Sequence, residues 1–340
     1  MSRVPTAPSS RRRGVVIAWM PVSQRSTTIA DRLGFDLVLV ARSGFRRPWT
    51  APLAYPISAA RTIRAIVRLR PRAAIIAVPP FVAPLVAMPF LAALRAPFAI
   101  DVHSGAVLDR RWRWALGIIG AIGRRSVGAV VTIASLEGPL RERGVETMVI
   151  PDPLPRLAPV PDTPLSKTAG RPVVVAICGW GSDEPIEELV ASATGRAWQL
   201  VLTGQPRRTF DPPPNVTLAG FLDHEDYVAR LAAADAIVVL TERDDTLLSG
   251  AWEAIALGRP LVVSGTAALR STFGEGVVYV GGDAESIGGG IDRVLADKRA
   301  PAAVAALRER FARDNDAVLG TLAARLERPR ITSARGPQPR

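Results

Sequence analysis

Residues 233–265 read AADAIVVLTERDDTLLSGAWEAIALGRPLVVSG, and the order of patterns in this stretch decides the fold. An apolar run of strand length is followed by an acidic loop, a helical pattern that starts at Ser249 and Gly250, and a second apolar run. Gly258 and Pro260 are typical of the point where a helix ends. A strand, a helix and a strand in this order predict a βαβ unit, which belongs to a parallel sheet covered by helices.

The same alternation runs through most of the 340 residues. Apolar runs of strand length occur at GVVIAWM, DLVLVA, AAIIAV, PFAIDVH, AVVTIA and TMVIPD in the first half, and at VVVAICG, WQLVLTG, NVTLAG, AIVVLT, PLVVSG and GVVYVG in the second. Helical patterns are predicted at residues 57–69, 112–124, 186–194, 224–233, 251–257, 284–296 and about 301–327. The pattern predicts an α/β protein with two Rossmann-like domains that face one another, each with a parallel sheet, and a last helix that crosses back toward the first domain.

A Pro-rich stretch without apolar periodicity, PDPLPRLAPVPDTPLSKTAGRP at residues 151–172, marks the boundary between the two halves. Each half has the length of an ordinary single core, on the order of 150 residues. The predicted segments are a disordered basic tail (1–13), an N-terminal Rossmann-like domain (14–155), a linker (156–172), a second Rossmann-like domain (173–312), a C-terminal helix (313–327) and a second disordered tail (328–340).

Composition limits the possible classes of protein. Hydrophobic residues make up 48% of the chain and charged residues 22%, which predicts a globular protein. One cysteine, Cys178, and two histidines, His103 and His224, supply neither a disulfide framework nor a zinc site, so we expect a reducing cytoplasmic setting and no metal. No cofactor is expected either. The uncharged stretch 73–94 is long enough to span a membrane, but its four prolines favour a buried strand, a loop and a buried helix.

Positive charge is concentrated in the first half of the chain. Residues 14–155 carry 18 basic and 8 acidic side chains, a net charge of +10, whereas residues 156–327 carry 17 and 23, a net charge of −6. This asymmetry favours an anionic partner for the first half. An anionic membrane surface fits better than nucleic acid, because no aromatic stacking surface or recognition motif accompanies the arginines. Alternatively, the arginines reflect base composition rather than selection.

The loops that follow strands are the candidate binding sites, because ligands of open α/β sheets bind beyond the carboxyl ends of the strands. These loops read WMPVSQRS, DVHSG, CGWGSDEP, TGQPRR and TERDDTLLSG. A carboxylate accepts hydrogen bonds from neighbouring sugar hydroxyls, and a helix start offers backbone N–H groups to phosphate, so the last loop suits a sugar and phosphate ligand. In the alternative interpretation, Asp244 and Asp245 only solvate a loop and Glu253 only complements the helix dipole.

Asp245 and Glu253 are separated by seven residues and followed by a Gly-x-Pro strand start, a pattern that resembles the donor site of retaining GT-B glycosyltransferases of family 4. The resemblance implies the GT-B fold and a nucleotide-diphosphate-sugar donor held by the second domain, with Asp245 on the donor sugar and Glu253 on the ribose. This chain departs from the family at residues 246–248, which read Thr-Leu-Leu instead of Gly-Phe-Gly. The donor-binding residues predicted in this way are Gly179, Trp180, Gly181, Arg243, Leu247, Leu248, Ser249, Gly250 and Glu253.

A second resemblance lies in RAPFAIDVHSG, residues 95–105, which is similar to family 4 enzymes. Together with the upstream VPPFVAP it also resembles, more weakly, the dolichol-linked beta-mannosyltransferases. Both imply that His103 faces the transferred sugar, as a hydrogen-bonding group or as an acid/base, so His103 and Asp245 are the candidate catalytic residues. Family 4 implies retention of configuration, whereas the mannosyltransferases imply inversion. His224, at a predicted helix start, is expected to be a capping or surface residue.

The diphosphate site differs from the pattern of the relatives, which place an Arg and a Lys after the corresponding strand. Residues 180–184 of this chain contain no cation. Three alternatives remain: backbone N–H groups of residues 179–182 hold the diphosphate, or Arg207, Arg208 or Arg243 reaches it, or the enzyme is weak or altered. The segment GFLDHED, which follows the strand that ends at residue 220, is expected to form the slot for the base.

The acceptor is expected at the first loop, where Ser23, Arg25 and Ser26 lead into a helix and Arg25 can meet an acceptor phosphate. The combined prediction is a metal-independent hexosyltransferase, peripheral at the cytoplasmic face of the plasma membrane. It would transfer a sugar from a nucleotide sugar to a lipid-linked or polysaccharide acceptor bound by the first domain. The alternative is a non-catalytic protein that binds a nucleotide sugar on the same fold.

Overall fold

The computed structural model describes residues 13–40, 51–155, 157, 170–206 and 211–327, apart from the side chains of residues 51–53 and 111. The predicted tails apart from Arg13, most of the predicted linker, and Arg207 and Arg208 lie outside the described residues. The chain forms two compact units. Unit 1 comprises residues 1–150 and 317–340, and unit 2 comprises residues 151–316.

Unit 1 contains a six-stranded parallel sheet with the strand order β2-β1-β3-β4-β5-β6. Its strands are β1 (Val15–Ala18), β2 (Asp36–Leu39), β3 (Ala74–Val78), β4 (Phe98–Val102), β5 (Ala129–Val131) and β6 (Thr147–Val149). Every residue of the four inner strands β1, β3, β4 and β5 is buried. Burial on both faces is the reason why these strands read as continuous apolar runs in the sequence.

Unit 2 contains a second six-stranded parallel sheet with the order β12-β11-β10-β7-β8-β9. Its strands are β7 (Val173–Ala176), β8 (Gln199–Thr203), β9 (Val216–Gly220), β10 (Ala236–Val239), β11 (Leu261–Ser264) and β12 (Val278–Val280). From β7 the chain first extends the sheet on one side and then returns to extend it on the other. The strand order therefore reverses between β7 and β10, which pair along Ala236–Val238 and Val174–Ala176.

Helices connect the strands of both sheets. They are α1 (Gln24–Leu33), α2 (Ala51–Leu69), α3 (Val82–Ala93), α4 (Ser104–Leu108), α5 (Arg110–Arg113), α6 (Leu116–Gly123), α7 (Glu137–Arg141), α8 (Ile186–Ser192), α9 (His224–Ala233), α10 (Ser249–Ala256), α11 (Ala267–Phe273), α12 (Ala284–Ala296) and α13 (Ala300–Glu327). Four of them begin at a side-chain N-cap, where Ser23, Asp223, Thr266 or Asp283 accepts a hydrogen bond from a backbone N–H three residues later. Such caps fix where the helix starts and hence how each preceding loop is held.

Two stretches of unit 1 test the sequence predictions directly. The helix predicted at residues 112–124 is wrong as a single element, because the tight turn from Trp112 O to Ala115 N separates α5 from α6. The stretch 73–94 forms the buried strand β3 and the 12-residue α3, so the predicted strand and helix are present, although the helix is buried on one side only, at Ala83, Pro84, Ala87 and Leu91. Among the described residues, no helix combines the length and the apolar character needed to cross a membrane.

The helix α13 contributes to the cores of both units. Its first half places Val304, Leu307 and Phe311 in the core of unit 2, where Phe311 packs edge-to-face against Trp252 with ring centroids 4.8 Å apart. Its second half places Leu319, Leu322 and Leu326 in the core of unit 1. The predicted C-terminal segment 313–327 is therefore the second part of one continuous helix that starts at Ala300.

Candidate functional site

The carboxyl ends of β7 and β10 meet at the point where the strand order of unit 2 reverses. In open α/β sheets the connections leave such a point in opposite directions and make room for a ligand. A cavity of about 530 Å³ lies there. It is lined by Ile177, Cys178, Gly179, Glu184, Thr203, Gly204, Phe221, Leu222, Asp223, His224, Tyr227, Val239, Leu240, Leu248, Ser249, Gly250 and Glu253.

Glu253 lies in the second turn of α10, and its carboxylate is held by a residue from another helix. The hydroxyl of Tyr227, in the first turn of α9, donates a hydrogen bond of 2.5 Å to Glu253 Oε2. Burial raises the pKa of Glu253, although the hydrogen bond from Tyr227 and the charge of His224 lower it in part. Burial also raises the pKa of Tyr227, as does the neighbouring charge of Glu253, so the phenol stays a donor. Among the described residues only Tyr227 donates to this carboxylate, which leaves Oε1 available as an acceptor.

Two glycines allow the chain to approach itself closely around the cavity. Gly250 lies in the first turn of α10, and a Cβ there would come within 2.9 Å of the Ile177 side chain. Gly204 follows β8 with a φ of +80°, and a Cβ there would collide with the carbonyl oxygen of Cys178. Any larger residue at these two positions would push apart the β7 loop and the elements opposite it.

The loop after β7 presents its backbone N–H groups to an acidic side chain of the same loop. Gly179 N lies 3.0 Å from both Oε1 and Oε2 of Glu184, and Trp180 N lies 3.1 Å from Oε2. Trp180 has a φ of +57°, and its indole Nε1 donates a hydrogen bond of 2.9 Å to Thr203 O. Burial raises the pKa of Glu184, partly offset by the hydrogen bonds from Gly179, Gly181 and Trp180.

The acidic loop after β10 is tied to the same β7 loop. Thr241 Oγ1 donates to Asp183 Oδ2 at 2.9 Å, and Glu242 N donates to Asp183 O at 2.7 Å. Asp245 is partly exposed, and its Oδ1 lies 3.4 Å from Thr246 Oγ1. The loop thus has a defined path into α10 that starts from contacts with Asp183.

The structure brings together some of the sequence-predicted donor residues and not others. The ones that line the cavity are Gly179, Leu248, Ser249, Gly250 and Glu253. The ones that are not among its lining residues are Trp180, Gly181, Arg243, Leu247 and the candidate catalytic Asp245. Leu247 packs against the core of unit 2. Neither Arg nor Lys lines this cavity in the described part of the chain, and Arg207 and Arg208 lie outside it.

Two polar side chains that line the cavity, Glu184 and Tyr227, were not among the residues predicted from the sequence. The predicted base slot is GFLDHED, and residues 221–224 of that segment line the cavity. Of the two roles expected for His224, capping or surface, the structure shows the second, because the N-cap of α9 is Asp223, which accepts from Asp226 N at 2.9 Å. His224 itself is exposed at the cavity.

In unit 1, the end of β4 carries a buried carboxylate between two basic groups. Asp101 Oδ1 accepts hydrogen bonds from Nε and Nη2 of Arg25, at 3.0 and 2.9 Å, and Arg25 Nη1 donates to Ile150 O at 2.9 Å. Asp101 Oδ2 lies 3.2 Å from His103 Nε2. Burial alone would raise the pKa of Asp101, but the charges of Arg25 and His103 and the hydrogen bonds from Arg25 lower it well below its ordinary value. His103 Nε2 is buried and makes no hydrogen bond of good geometry, so its contact with Asp101 is electrostatic. A neutral His103 with its proton on Nε2, facing the ionised Asp101, would leave Nδ1 as an acceptor.

The predicted acceptor residues have different surroundings from those expected. Arg25 is buried and paired with Asp101, so its charge is already neutralised inside unit 1 and does not fit an acceptor phosphate. Ser23 and Ser26 are also buried, and Ser23 Oγ both donates to Ser26 Oγ at 2.8 Å and accepts from Ser26 N at 3.1 Å. These three residues hold the start of α1 and the end of β4 in place.

Comparison with solved structures identifies the fold. Sucrose-phosphate synthase from Thermosynechococcus elongatus superposes with a TM-score of 0.65 at 18% sequence identity, over 92% of this chain and 100% of that chain. HepE from Anabaena in complex with UDP-glucose gives 0.61 at 12% identity, over 92% and 99%. The glycosyltransferase SnogD from Streptomyces nogalater gives 0.57 at 17% identity, over 92% and 100%.

The chain has the GT-B glycosyltransferase fold. The α/β architecture with two parallel sheets predicted from the sequence is thereby confirmed. No protein-family model matches the chain, and no curated protein matches it in sequence. At sequence identities below 20%, similarity to the solved structures shows the fold alone. The chemistry of this chain is therefore inferred from the residues of its own cavity.

Proposed function

We propose that this protein is a glycosyltransferase whose donor, a nucleoside diphosphate sugar, binds in the cavity of unit 2. The observation that carries the proposal is the Glu253 carboxylate, fixed by Tyr227 in a cavity at the strand reversal of a Rossmann-like sheet. A carboxylate with an available oxygen accepts hydrogen bonds from the two neighbouring hydroxyls of a ribose. The solved structures of HepE contain UDP or UDP-glucose, which makes UDP the first ligand to test.

The base of the donor is assigned to the segment after β9. Phe221 lines the cavity and is 84% exposed, so its ring offers a face on which a base can stack. With the base at Phe221 and the ribose at Glu253, the diphosphate is directed toward Gly179 and the start of α10 at Ser249. The first turn of a helix carries unpaired backbone N–H groups that favour an anion.

The reaction assigned to this donor replaces the bond between the anomeric carbon and the diphosphate with a bond to an acceptor hydroxyl. The nucleoside diphosphate leaves, and the acceptor loses a proton. We assign that proton to Nδ1 of His103, with Asp101 as the residue that positions the ring, and we assign the sugar hydroxyls to Asp245. The resemblance to family 4 supports retention of configuration and a reaction without metal.

Isothermal titration calorimetry with UDP tests the donor assignment. We expect Glu253→Ala to weaken UDP binding by roughly tenfold to a hundredfold, because a hydrogen bond to a charged group contributes about 1.5–3 kcal/mol. Glu225→Ala is the matched control, since Glu225 is an exposed acid in the first turn of α9. Equal UDP affinity in the Glu253 variant and the wild type would refute the ribose assignment, and a wild type that binds no nucleotide would refute the proposed function.

A second candidate function is a non-catalytic protein that binds a nucleotide sugar. It is favoured by the cavity lining, in which the described residues include no Arg or Lys. Transfer of radiolabelled sugar from UDP-glucose, and from other UDP sugars, to bacterial membrane extracts distinguishes the two functions. The enzyme should transfer sugar as wild type and lose transfer as His103→Ala while keeping its affinity for UDP, whereas a binding protein shows no transfer in either form.

The acceptor is proposed to be lipid-linked and reached at an anionic membrane. Unit 1 has a surface cavity of about 400 Å³ lined by Arg110, Arg113, Trp114, Leu116 and Arg143. Trp114 packs edge-to-face on Phe81 at 5.4 Å and is nevertheless 67% exposed. Guanidinium groups around an exposed indole suit the headgroup region of a membrane, because Arg side chains bind lipid phosphates there and Trp side chains lie at the interface.

Sedimentation with vesicles of phosphatidylglycerol and phosphatidylcholine tests this surface. Each basic residue near an anionic membrane contributes about 1 kcal/mol, so the double variant Arg110→Ala/Arg113→Ala should bind roughly thirtyfold more weakly. Arg299→Ala, an exposed cation of unit 2, is the control. Vesicle binding that is unchanged in the double variant, or that does not depend on phosphatidylglycerol, would contradict the assignment.

A further inference from the structure

The β7 loop forms a small concavity of backbone donors that already contains an anion. The N–H groups of Gly179 and Trp180 both point at the carboxylate of Glu184, with N to O distances of 3.0 to 3.1 Å. Successive N–H groups that converge on one anion in this way form a typical binding site for phosphate oxygens. The anion here is a side chain of the same loop.

The backbone half of this site is held firmly, and the side-chain half is not. Trp180 is buried with its indole bonded to Thr203 O, and Gly204 leaves just enough room for the loop next to Cys178. The N–H groups of residues 179 and 180 are therefore fixed in direction. Glu184 is only partly buried and lies at the cavity, so its carboxylate can leave the two donors without unfolding the loop.

We infer that Glu184 is a built-in occupant of a phosphate-binding site at Gly179 and Trp180, and that it must leave this site before a phosphate group enters. The inference rests on the proposed function only in naming the donor diphosphate as the natural occupant. Relatives place an Arg and a Lys after the strand that corresponds to β7. In this chain the loop after β7 instead carries Glu184, which has the opposite charge. A phosphate and an ionised Glu184 compete for the same two N–H groups.

The charges around Glu184 reinforce this competition. Among the described residues, the titratable groups that line the cavity together with Glu184 are Cys178, Asp223, His224, Tyr227 and Glu253, and Asp183 is its neighbour in the β7 loop. Burial raises the pKa of Glu184, and the charge of Asp183 raises it further against the hydrogen bonds of the loop. Since a raised pKa makes the carboxyl take up a proton at a higher pH than an ordinary Glu, lowering the pH should free the N–H groups for phosphate.

The test measures the binding of inorganic pyrophosphate by calorimetry to the wild type and to Glu184→Gln. We expect the variant to bind at least about tenfold more tightly, because the competing charge is removed while the shape of the side chain is kept. Glu187→Gln, an exposed acid in the first turn of α8, should bind like the wild type. Unchanged or weaker binding in Glu184→Gln would overturn the inference.

The pH dependence gives an independent readout that needs no further variant. The ratio of the pyrophosphate affinities of Glu184→Gln and the wild type cancels the titration of pyrophosphate itself. This ratio should approach one as the pH falls through the raised pKa of Glu184, and a ratio that is constant with pH would contradict the inference.

Uridine separates this inference from the proposed function, because it carries no phosphate. If uridine binds the wild type and Glu184→Gln does not gain affinity for pyrophosphate, the inference fails and the proposed function stands. If uridine and UDP bind no variant while Glu184→Gln gains affinity for pyrophosphate, the inference stands and the proposed function fails.

Discussion

The two units each contain a buried carboxylate, and the two have opposite surroundings. Asp101 in unit 1 lies between Arg25 and His103, whose charges lower its pKa despite burial. Glu253 in unit 2 has the neutral hydroxyl of Tyr227 as its hydrogen-bond donor, and burial raises its pKa. A charged partner neutralises a carboxylate within the fold, whereas a neutral partner leaves the charge of the carboxylate available to a ligand.

The comparison also assigns different tasks to the two groups. Asp101 is held by three neighbouring nitrogen atoms, Nε and Nη2 of Arg25 and Nε2 of His103, and can orient the His103 ring, but both of its oxygens are already engaged. Among the side chains that the structure describes, Tyr227 alone donates a hydrogen bond to Glu253, which borders a cavity. We therefore expect changes at the unit 1 carboxylate to act mainly on stability, and changes at the unit 2 carboxylate to act mainly on binding.

The largest effect is expected from Arg25→Met. It removes the partner of a carboxylate that is almost fully buried and should lower the free energy of unfolding by about 3–5 kcal/mol, the usual cost of leaving one charge of a buried pair uncompensated. Urea denaturation near neutral pH measures this change. Arg32→Met, at the other end of α1, is the control for loss of an arginine from the same helix.

The double variant Arg25→Met/Asp101→Asn should recover much of that loss, because it removes the orphaned charge as well. The pKa of Asp101 is lowered in the folded protein, so its stabilising contribution is complete above the unfolded pKa of about 3.9 and is lost as the pH falls below that value. The advantage of the wild type over the double variant should shrink accordingly in acid. If Arg25→Met unfolds at the wild-type urea concentration, the ion pair does not hold unit 1 together.

Glu253→Gln should change the free energy of unfolding in the opposite direction to Arg25→Met. Because the pKa of Glu253 is raised in the folded protein, ionised Glu253 costs stability fully above that pKa. The cost shrinks as the pH falls below it and is gone below the unfolded pKa of about 4.3. The variant should therefore be more stable than the wild type near neutral pH, by about 0.5–2 kcal/mol, the usual gain of a single stabilising substitution. Thermal unfolding across the pH range measures it, with Glu225→Gln as the control. A less stable Glu253→Gln would show that the bond from Tyr227 outweighs the cost of burial.

The contrast explains how much of this protein could be predicted from its sequence. Strands buried on both faces must be apolar throughout, so inner strands such as β1, β3, β4 and β10 were visible as continuous apolar runs. The partly buried edge strands β2 and β9 of the described residues were found from shorter apolar runs bounded by turn residues. The position of Glu253 in α10 was predictable for a similar reason, since strand, loop and helix follow one another in residues 236–256. Both predictions depend only on residues that are close together in the sequence.

The partners of the two carboxylates were not predictable, because they come from distant parts of the chain. Tyr227 is 26 residues from Glu253, and Arg25 is 76 residues from Asp101. The sequence around Arg25 suggests a binding site for phosphate, but the folded sheet places Asp101 beside Arg25 and the two form an ion pair. Glu184 was missed for another reason: an acid five residues after Gly179 in a loop has no recognisable pattern, and only the folded path of the loop brings its carboxylate to the N–H groups of Gly179 and Trp180.

The smallest effect, and the one that tests the comparison most finely, is expected from Tyr227→Phe. The change removes one hydrogen bond to Glu253, so uridine binding should weaken by about threefold to tenfold, the equivalent of roughly 0.5–1.5 kcal/mol.

Because the hydrogen bond from Tyr227 lowers the pKa of Glu253, its loss should raise that pKa further. Uridine has no phosphate, so the decline of its affinity as the pH falls reports the protonation of Glu253, and this decline should begin at a higher pH in the variant. Calorimetric titrations over a pH series measure both effects, with Tyr279→Phe as the control, since Tyr279 donates to Gly274 O and does not line the cavity. A variant with the wild-type pH profile would mean that Tyr227 does not set the charge of Glu253, and the neutral partner would then have no part in preparing this carboxylate for a ligand.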